Sequence, residues 1–330
     1  MAKLRAGLVG LGMMGRHHAR VLGSLDGVDL VAVADPDGDK FGAANGRRLV
    51  SSVTELIEQG IDYCMVAVPT GLHEEVALEL AEAGVHAIIE KPLAHDTASS
   101  ERIVAAFEKA GLVGGVGHIE RYNPALQQAR SRIENGDLGE IYQVATRRQG
   151  PFPGRIADVG VVKDLGTHDI DLTAWVTQRQ YLSISAQTGF KSGRQHEDLV
   201  AAVGKLTGGA VTNHLVNWLS PLKERTTVIT GEKGAFVADT LTADLTFFAN
   251  GQIETTWNEI SQFRGVSEGD VIRYAFPKPE PLRTEHESFR DAIQQGEMRN
   301  IVTFAQGLAT VRVAEAALES ALRNETVVVA

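Results

Sequence analysis

Gly10-Leu11-Gly12-Met13-Met14-Gly15 directly follows the apolar run from Leu4 to Val9 and opens a helical pattern. In a strand-loop-helix unit, the first glycine allows a tight turn, the second lets backbone approach a pyrophosphate, and the third lets helix and strand pack closely. The start of the helix then offers unpaired amides to an anion. Asp35 closes the next apolar run twenty residues after Gly15. There it is placed to accept hydrogen bonds from a ribose diol and to repel a 2′-phosphate. The loop predicts dinucleotide binding through Gly10, Gly12, Met13, Met14, Gly15 and Asp35, with NAD preferred to NADP. Read alone, Asp35 could equally be a turn former in Ala34-Asp35-Pro36-Asp37; its context favours the cofactor.

Alternation of strand and helix continues through the first 120 residues, which argues for an α/β fold with a parallel sheet covered on both faces. Leu4 to Val9, Leu30 to Ala34, Ile61 to Val68, Val85 to Ile89 and Leu112 to Val116 read as strands. Leu72, Val76, Leu80 and Ala83 recur at helical spacing, with Thr70 as a cap and Gly84 as a stop. Asp96 caps a second helix that buries Ile103, Val104 and Phe107 and stops at Gly111. A third starts at Asn123 with Pro124 in its first turn. The domain boundary is placed there, giving 1–121 and 122–330.

After Gly139 the pattern turns to hairpins. Val200 to Leu206 and Ala210 to Leu219 flank Gly208-Gly209, while Leu245 to Ala249 and Gln252 to Trp257 flank Asn250-Gly251, so a mostly antiparallel sheet is expected. Thr284 and Glu287 suggest a capping box for a helix ending at Gly296. Phe304, Leu308, Val311, Leu318 and Leu322 mark a long closing helix.

With 330 residues, 43% hydrophobic and 22% charged, two globular domains are expected. A net charge of −10 spread along the chain disfavours nucleic acid as a partner. The apolar stretch near the start breaks at Gly10 and Gly12, too early for a signal peptide core, and no run is long enough to span a membrane. The single Cys64 sits in a buried-strand pattern, and a cytoplasmic location is expected.

Chemistry is suggested first by Glu90-Lys91-Pro92, which ends the strand Val85 to Ile89. Ligands of open parallel sheets bind at the carboxyl ends of strands, so an ammonium there can reach a reacting hydroxyl, although most lysines are solvated charges. Asp164 and His168 lie four apart at the start of a helical segment, where a carboxylate can orient an imidazole for proton transfer. That spacing is also a frequent accident. Asp169 and Asp171 read as solvated or capping, and His17 and His18 as helix-surface or packing residues. Pro69, Thr70 and His73 follow a strand end and face the expected cofactor cleft; His73 is read as a helix cap or a cofactor contact. His118, Arg121 and Tyr122 are substrate-pocket candidates from Gly117-His118-Ile119-Glu120-Arg121-Tyr122-Asn123-Pro124. Arg147, Arg148, Arg155 and Lys163 are cations suited to phosphate or carboxylate, with surface charge as the default.

Taken together, Gly10 to Gly15, Asp35, Pro69-Thr70 to His73, Glu90-Lys91-Pro92, Asp164 to His168 with its following Asp-Ile-Asp, and the ending from Glu285-His286 and Phe289 to Val327-Val328-Val329 resemble the glucose-fructose oxidoreductase, inositol dehydrogenase and rhizopine-catabolism family (Gfo/Idh/MocA). The resemblance implies a Rossmann domain followed by an α+β domain whose large open sheet builds homodimers or homotetramers. It implies roles as well: Lys91 contacting substrate hydroxyl and nicotinamide, Asp164 beside it, and His168 as general base, with Lys91 at the seam between domains and Glu90 beside the cofactor. No metal is implied. The segment from Gly117 to Pro124 resembles the branch with nucleotide-sugar 3-dehydrogenases acting on UDP-N-acetylglucosamine. The expected activity is NAD-dependent oxidation of a secondary hydroxyl on a sugar, cyclitol or nucleotide sugar. An NAD-dependent glycosidase using transient oxidation and a non-catalytic NAD-sensing regulator remain as alternatives.

Overall fold

The computed structural model describes residues 3–154, 159–251 and 268–329. The chain forms two compact units, Met1–Ile119 with Pro279–Glu315 and Glu120–Lys278 with Ala316–Ala330. Where the sequence places one boundary after residue 121, the chain therefore crosses between units three times.

In the first unit β1 (Leu4–Val9), β2 (Val28–Ala34), β3 (Arg48–Val50), β4 (Tyr63–Val66), β5 (His86–Glu90) and β6 (Gly114–Gly117) form a six-stranded sheet. Its order is β3-β2-β1-β4-β5-β6, with every pairing parallel. This is the doubly wound order, whose switch point lies between β1 and β4. Both faces are covered. The helices α1 (Gly15–Leu22), α2 (Val53–Ile57), α3 (His73–Glu82) and α4 (Thr97–Ala110) connect the strands in turn. Side chains from β4, with all four residues buried, are shared between two apolar clusters, one holding Leu80, Ile103 and Phe107, the other Leu22, Tyr63 and Met65.

The returning segment belongs here for a packing reason. Along edge strand β6, Gly114 and Gly115 leave room that rings fill: a Cβ on Gly114 would lie 2.3 Å from the Phe304 ring, and one on Gly115 2.9 Å from Phe289. Val116 N–H also donates to Val302 O at 2.8 Å. Phe289 is carried by α7 (Pro281–Gln295) and Phe304 begins α8 (Phe304–Arg323). Thus the edge of the sheet is covered by chain from the far end of the sequence.

Several caps match expectation. Asp96 accepts from Ser99 N–H at 2.7 Å, Asn123 from Ala125 N–H at 3.1 Å, and Gly111 ends its helix with φ +65°. Two do not. A 3-10 turn over Thr70–Leu72 precedes α3, so Leu72 and not Thr70 holds the cap position. Helix α7 begins at Pro281 with Glu280 as its cap, which places Thr284 inside the helix, bonded to Glu280 O at 3.2 Å, and removes the expected capping box.

In the second unit α5 (Pro124–Glu134) and α6 (Thr167–Thr177) accompany a nine-stranded sheet. Its strands are β7 (Ile141–Pro151), β8 (Tyr181–Gly189), β9 (Leu199–Leu206), β10 (Val211–Asn217), β11 (Leu219–Gly231), β12 (Gly234–Asp239), β13 (Asp244–Asn250), β14 (Glu268–Arg273) and β15 (Val327–Val328). They lie in the order β14-β13-β12-β11-β7-β10-β9-β8-β15, antiparallel except for β7 beside β10. Gly208-Gly209 joins β9 to β10 as expected. The strand expected from Gln252 to Trp257 lies outside the described residues.

Candidate active-site residues

In a parallel sheet all carboxyl ends fall on one edge, and the first unit gathers its candidate residues there. After β1, Gly10 has φ +88° and a Cβ on it would lie 2.5 Å from Ala67 O, so glycine is required. A Cβ on Gly15 would lie 1.8 Å from Gly10 O. Gly12 differs: its Cβ would meet nothing within 4 Å. The loop is thus closed on its protein side and open where an approaching phosphate needs bare backbone. Met14 holds the cap position of α1, and Met13 is exposed. At the end of β2, Asp35 accepts Leu11 N–H through Oδ2 at 2.7 Å and Asp37 N–H through Oδ1 at 2.9 Å. Each oxygen keeps a second lone pair for a ribose hydroxyl. These features fit NAD.

Pro69 and Thr70 follow β4. His73 is buried, with Nδ1 2.9 Å from Pro92 O and Nε2 3.1 Å from Val68 O, so the ring ties the loop after β4 to the one after β5. Burial lowers its pKa most, against the raising effect of those carbonyls. Glu90 ends β5, and Lys91 follows half-buried. Glu90 Oε2 accepts Lys91 N–H at 3.1 Å. His118, buried, follows β6 on the same edge. Cys64 is buried in β4 as expected, and burial pushes its thiol far up.

In the second unit, Asp164 lies in a π-helical turn, Val162–Gly166, that runs into α6 with His168 in its first turn. Both side chains are buried. Such π turns recur at functional sites because they re-aim side chains at a helix entry. Glu197 supports this entry: its Oε1 accepts Val162 N–H at 3.0 Å and its backbone O accepts Val161 N–H at 2.9 Å. A Cβ on Gly160 would lie 1.9 Å from the same carboxylate. The sequence reading missed Glu197, whose sole signal was its neighbourhood in Glu197-Asp198 before β9. Lys163 is half-buried on the same turn, and Thr167 Oγ1 donates to Lys163 O at 2.9 Å.

Asp169 and Asp171 are corrected by the structure. Neither is solvated, each being 1% exposed. Asp169 accepts from Arg148 Nε at 2.7 Å, and Arg148 Nη1 also donates to Glu120 at 2.7 Å. Asp171 takes a two-pronged bond from Arg121, at 2.8 and 2.6 Å. Burial opposes charge on Arg148, but Asp169 and Glu120 outweigh it and raise its pKa. For Glu120 burial is likewise outweighed, by Arg148 above all, and its carboxyl is held low. These two arginines hold the start of the second unit together, and the surface reading of Arg148 gives way to a buried one. Arg147 remains exposed, 3.7 Å from Glu224. Tyr122 is buried in the turn that carries Arg121, and Arg155 lies outside the described residues. Among the described residues no cluster of three or more His, Cys, Asp or Glu could hold a metal, and no helix is long and apolar enough to cross a membrane.

Comparison with known proteins matches both units. An oxidoreductase family model with an NAD-binding Rossmann fold (GFO_IDH_MocA) covers residues 4–118, and the GFO/IDH/MocA C-terminal domain covers residues 126–237. The UDP-N-acetylglucosamine 3-dehydrogenase of Acidithiobacillus ferrooxidans is 32% identical over 64% of this chain and 66% of its own length. Inositol 2-dehydrogenase 2 of Saccharopolyspora erythraea is 30% identical over 59% of this chain and 60% of its own. The alignments span less than two thirds of the length of these two curated relatives. The solved structure of UDP-N-acetylglucosamine 3-dehydrogenase GnnA from Acidithiobacillus ferrooxidans matches with a TM-score of 0.81 at 27% identity, covering 98% of this chain and 97% of that one. The first unit is an NAD-binding Rossmann domain, and the chain belongs to the GFO/IDH/MocA family of oxidoreductases.

Proposed function

We propose that this protein is an NAD-dependent dehydrogenase that oxidises a secondary hydroxyl of a nucleotide sugar, of the UDP-N-acetylhexosamine 3-hydroxyl type. The observation that carries the reading is Lys91 on the same sheet edge as the glycine loop and Asp35, so that an ammonium and a cofactor site share one rim. The substrate class is supported by the similarity to a UDP-N-acetylglucosamine 3-dehydrogenase.

Gly12 leaves backbone open to the pyrophosphate while Gly10 and Gly15 close the turn behind it, with Met13 and Met14 beside it, and Asp35 receives the ribose; Pro69, Thr70 and Glu90 complete the cofactor rim, with buried His73 behind it. NAD, when bound, supplies the hydride acceptor. The His168 imidazole takes the hydroxyl proton as the carbinol C–H bond breaks and the carbonyl forms, Asp164 supports that imidazole, and the Lys91 ammonium stabilises the developing alkoxide. His118, Tyr122, Lys163, Arg121 and Arg155 are assigned to the substrate side, Arg121 acting through the turn it anchors to Asp171. The second unit carries substrate recognition and assembly into a homodimer or homotetramer through its sheet, whose strands β9 and β10 alternate buried and exposed residues. The reaction is assigned to the cytoplasm.

Purified protein with NAD, screened against UDP-N-acetylglucosamine, myo-inositol and free sugars while both NADH and bond cleavage are recorded, tests this. NADH formation with the UDP-sugar is expected. A response to free polyols alone removes the substrate class, and cleavage without NADH replaces the dehydrogenase with a glycosidase.

A further inference from the structure

Beside Lys91 the first unit buries a group of ionisable side chains that the reaction above does not use. His18 of α1 and His286 of α7 are both 0% exposed, and Glu285 of α7 is 1% exposed. His18 Nδ1 lies 2.8 Å from His286 Nε2, and His18 Nε2 lies 2.9 Å from Glu90 Oε1. The other Glu90 oxygen accepts the backbone N–H of Lys91 at 3.1 Å. A continuous chain therefore runs from His286 through His18 and Glu90 to Lys91, although residues 286 and 91 are 195 positions apart in the sequence.

An ionised carboxylate can only accept, so His18 Nε2 carries the proton that meets Glu90. His18 Nδ1 and His286 Nε2 share one hydrogen bond, whose direction follows the tautomers of the two rings. Burial opposes charge on Glu90, but His18 and Lys91 overcome it and hold the carboxyl below the ordinary glutamate range. Burial first, then the Glu90 charge, push Glu285 well above that range. His286 is driven well below the ordinary histidine value by burial and by His18. From α3, His73 also feels the Glu90 charge, while burial keeps its pKa low. From β6 the facing residue is Gly117, where a Cβ would lie 3.4 Å from Glu90 Cδ.

We propose that His18 and His286 are positioning residues for the reaction: their hydrogen-bonded chain fixes the Glu90 carboxylate against Lys91, setting the geometry and the field in which the ammonium works. This rests on the role proposed for Lys91. Helix α7 thereby gains a part in the chemistry, through a carboxylate it does not itself supply.

The test follows Glu90 directly. In the full-length protein labelled with 13C at glutamate carboxyls, with Glu90→Gln assigning the signal, the Glu90 midpoint is read against pH in native protein, His18→Leu and His18→Gln. In His18→Leu the midpoint should rise by at least about one pH unit, a tenfold gain in proton affinity. His18→Gln, whose amide can replace the Nε2 donor, should restore most of the native value. An unmoved midpoint in His18→Leu, or a glutamine variant that behaves like leucine, would overturn the proposal. If His18→Leu does not fold, the pair His286→Leu and His286→Gln carries the same comparison. The second arm measures NADH formation from UDP-N-acetylglucosamine and myo-inositol: the acid limb of kcat should follow the Glu90 midpoint in each variant while KM for NAD stays put, and an acid limb that ignores the midpoint contradicts the proposal. Retained turnover in Lys91→Ala would instead strike the reading of Lys91. An inactive Lys91→Ala with an unmoved Glu90 midpoint in His18→Leu would strike this inference alone.

Discussion

The carboxylate of Asp35 accepts the backbone N–H of Leu11 at 2.7 Å, which bonds the end of β2 to the glycine loop after β1. One acid thus shapes the loop and offers lone pairs to a ribose. Asp35→Ala should weaken NADH binding by roughly tenfold or more and narrow the preference over NADPH, because the charge that repels a 2′-phosphate is gone. Fluorescence titration with both cofactors measures it; an undiminished preference for NADH would remove Asp35 from the site.

Gly12 and Gly15 should separate binding from folding. A methyl on Gly15 meets Gly10 O at 1.8 Å, whereas one on Gly12 meets nothing within 4 Å. Gly15→Ala should lower Tm sharply. Gly12→Ala should keep the native Tm yet lose about tenfold or more in NADH affinity, since the methyl occupies the space the pyrophosphate requires. Thermal melts and titrations on the two variants check the contrast, and equal effects on both quantities would contradict it.

Arg148 sits between Asp169 and Glu120, all three buried. Arg148→Met should cost about 3–5 kcal/mol, because two carboxylates lose their shared cation inside the protein. Urea denaturation reads the loss. A change of less than about 1 kcal/mol would mean that the pair is solvated, as exposed pairs are.

Glu285 makes stability depend on pH in a defined direction. Its carboxyl is raised in the fold by burial and then by Glu90, so the native state prefers it protonated. Below the unfolded glutamate pKa nothing is lost; as pH rises above it, the unfolded chain gains from ionising, by up to about 1.4 kcal/mol per pH unit until the folded pKa is reached. Glu285→Gln removes that term. The variant should gain stability over native protein as pH climbs from 4 to 7, and a difference that is flat with pH would contradict the assignment.

The Rossmann half was legible because its signals are local or regularly spaced: the glycine loop and the cap at Asp96 act within a few residues, and Asp35 follows the loop at a fixed spacing at the end of the next strand. What escaped was long-range. Charges on a helix usually face water, and Asp169 and Asp171 face inward only because Arg148 and Arg121 reach them from 21 and 50 residues away. For His18 the packing reading holds, since it is buried, but its bond to His286 at 2.8 Å comes from α7, 268 residues away. The return of residues 279–315 to the first unit likewise depends on which rings fill the space beside Gly114 and Gly115, which no periodicity encodes. Lys91 was legible by position, as the residue after a strand end.

Lys91 is assigned chemistry on a hydroxyl beside a bound NAD. Steady-state NADH formation by Lys91→Ala, on the substrate that the screen identifies, tests it most directly. Turnover should fall by about a hundredfold to a thousandfold, the scale of removing one group that stabilises a developing oxyanion, with NAD binding within a few-fold of native. Turnover within a few-fold of the native protein would contradict the account.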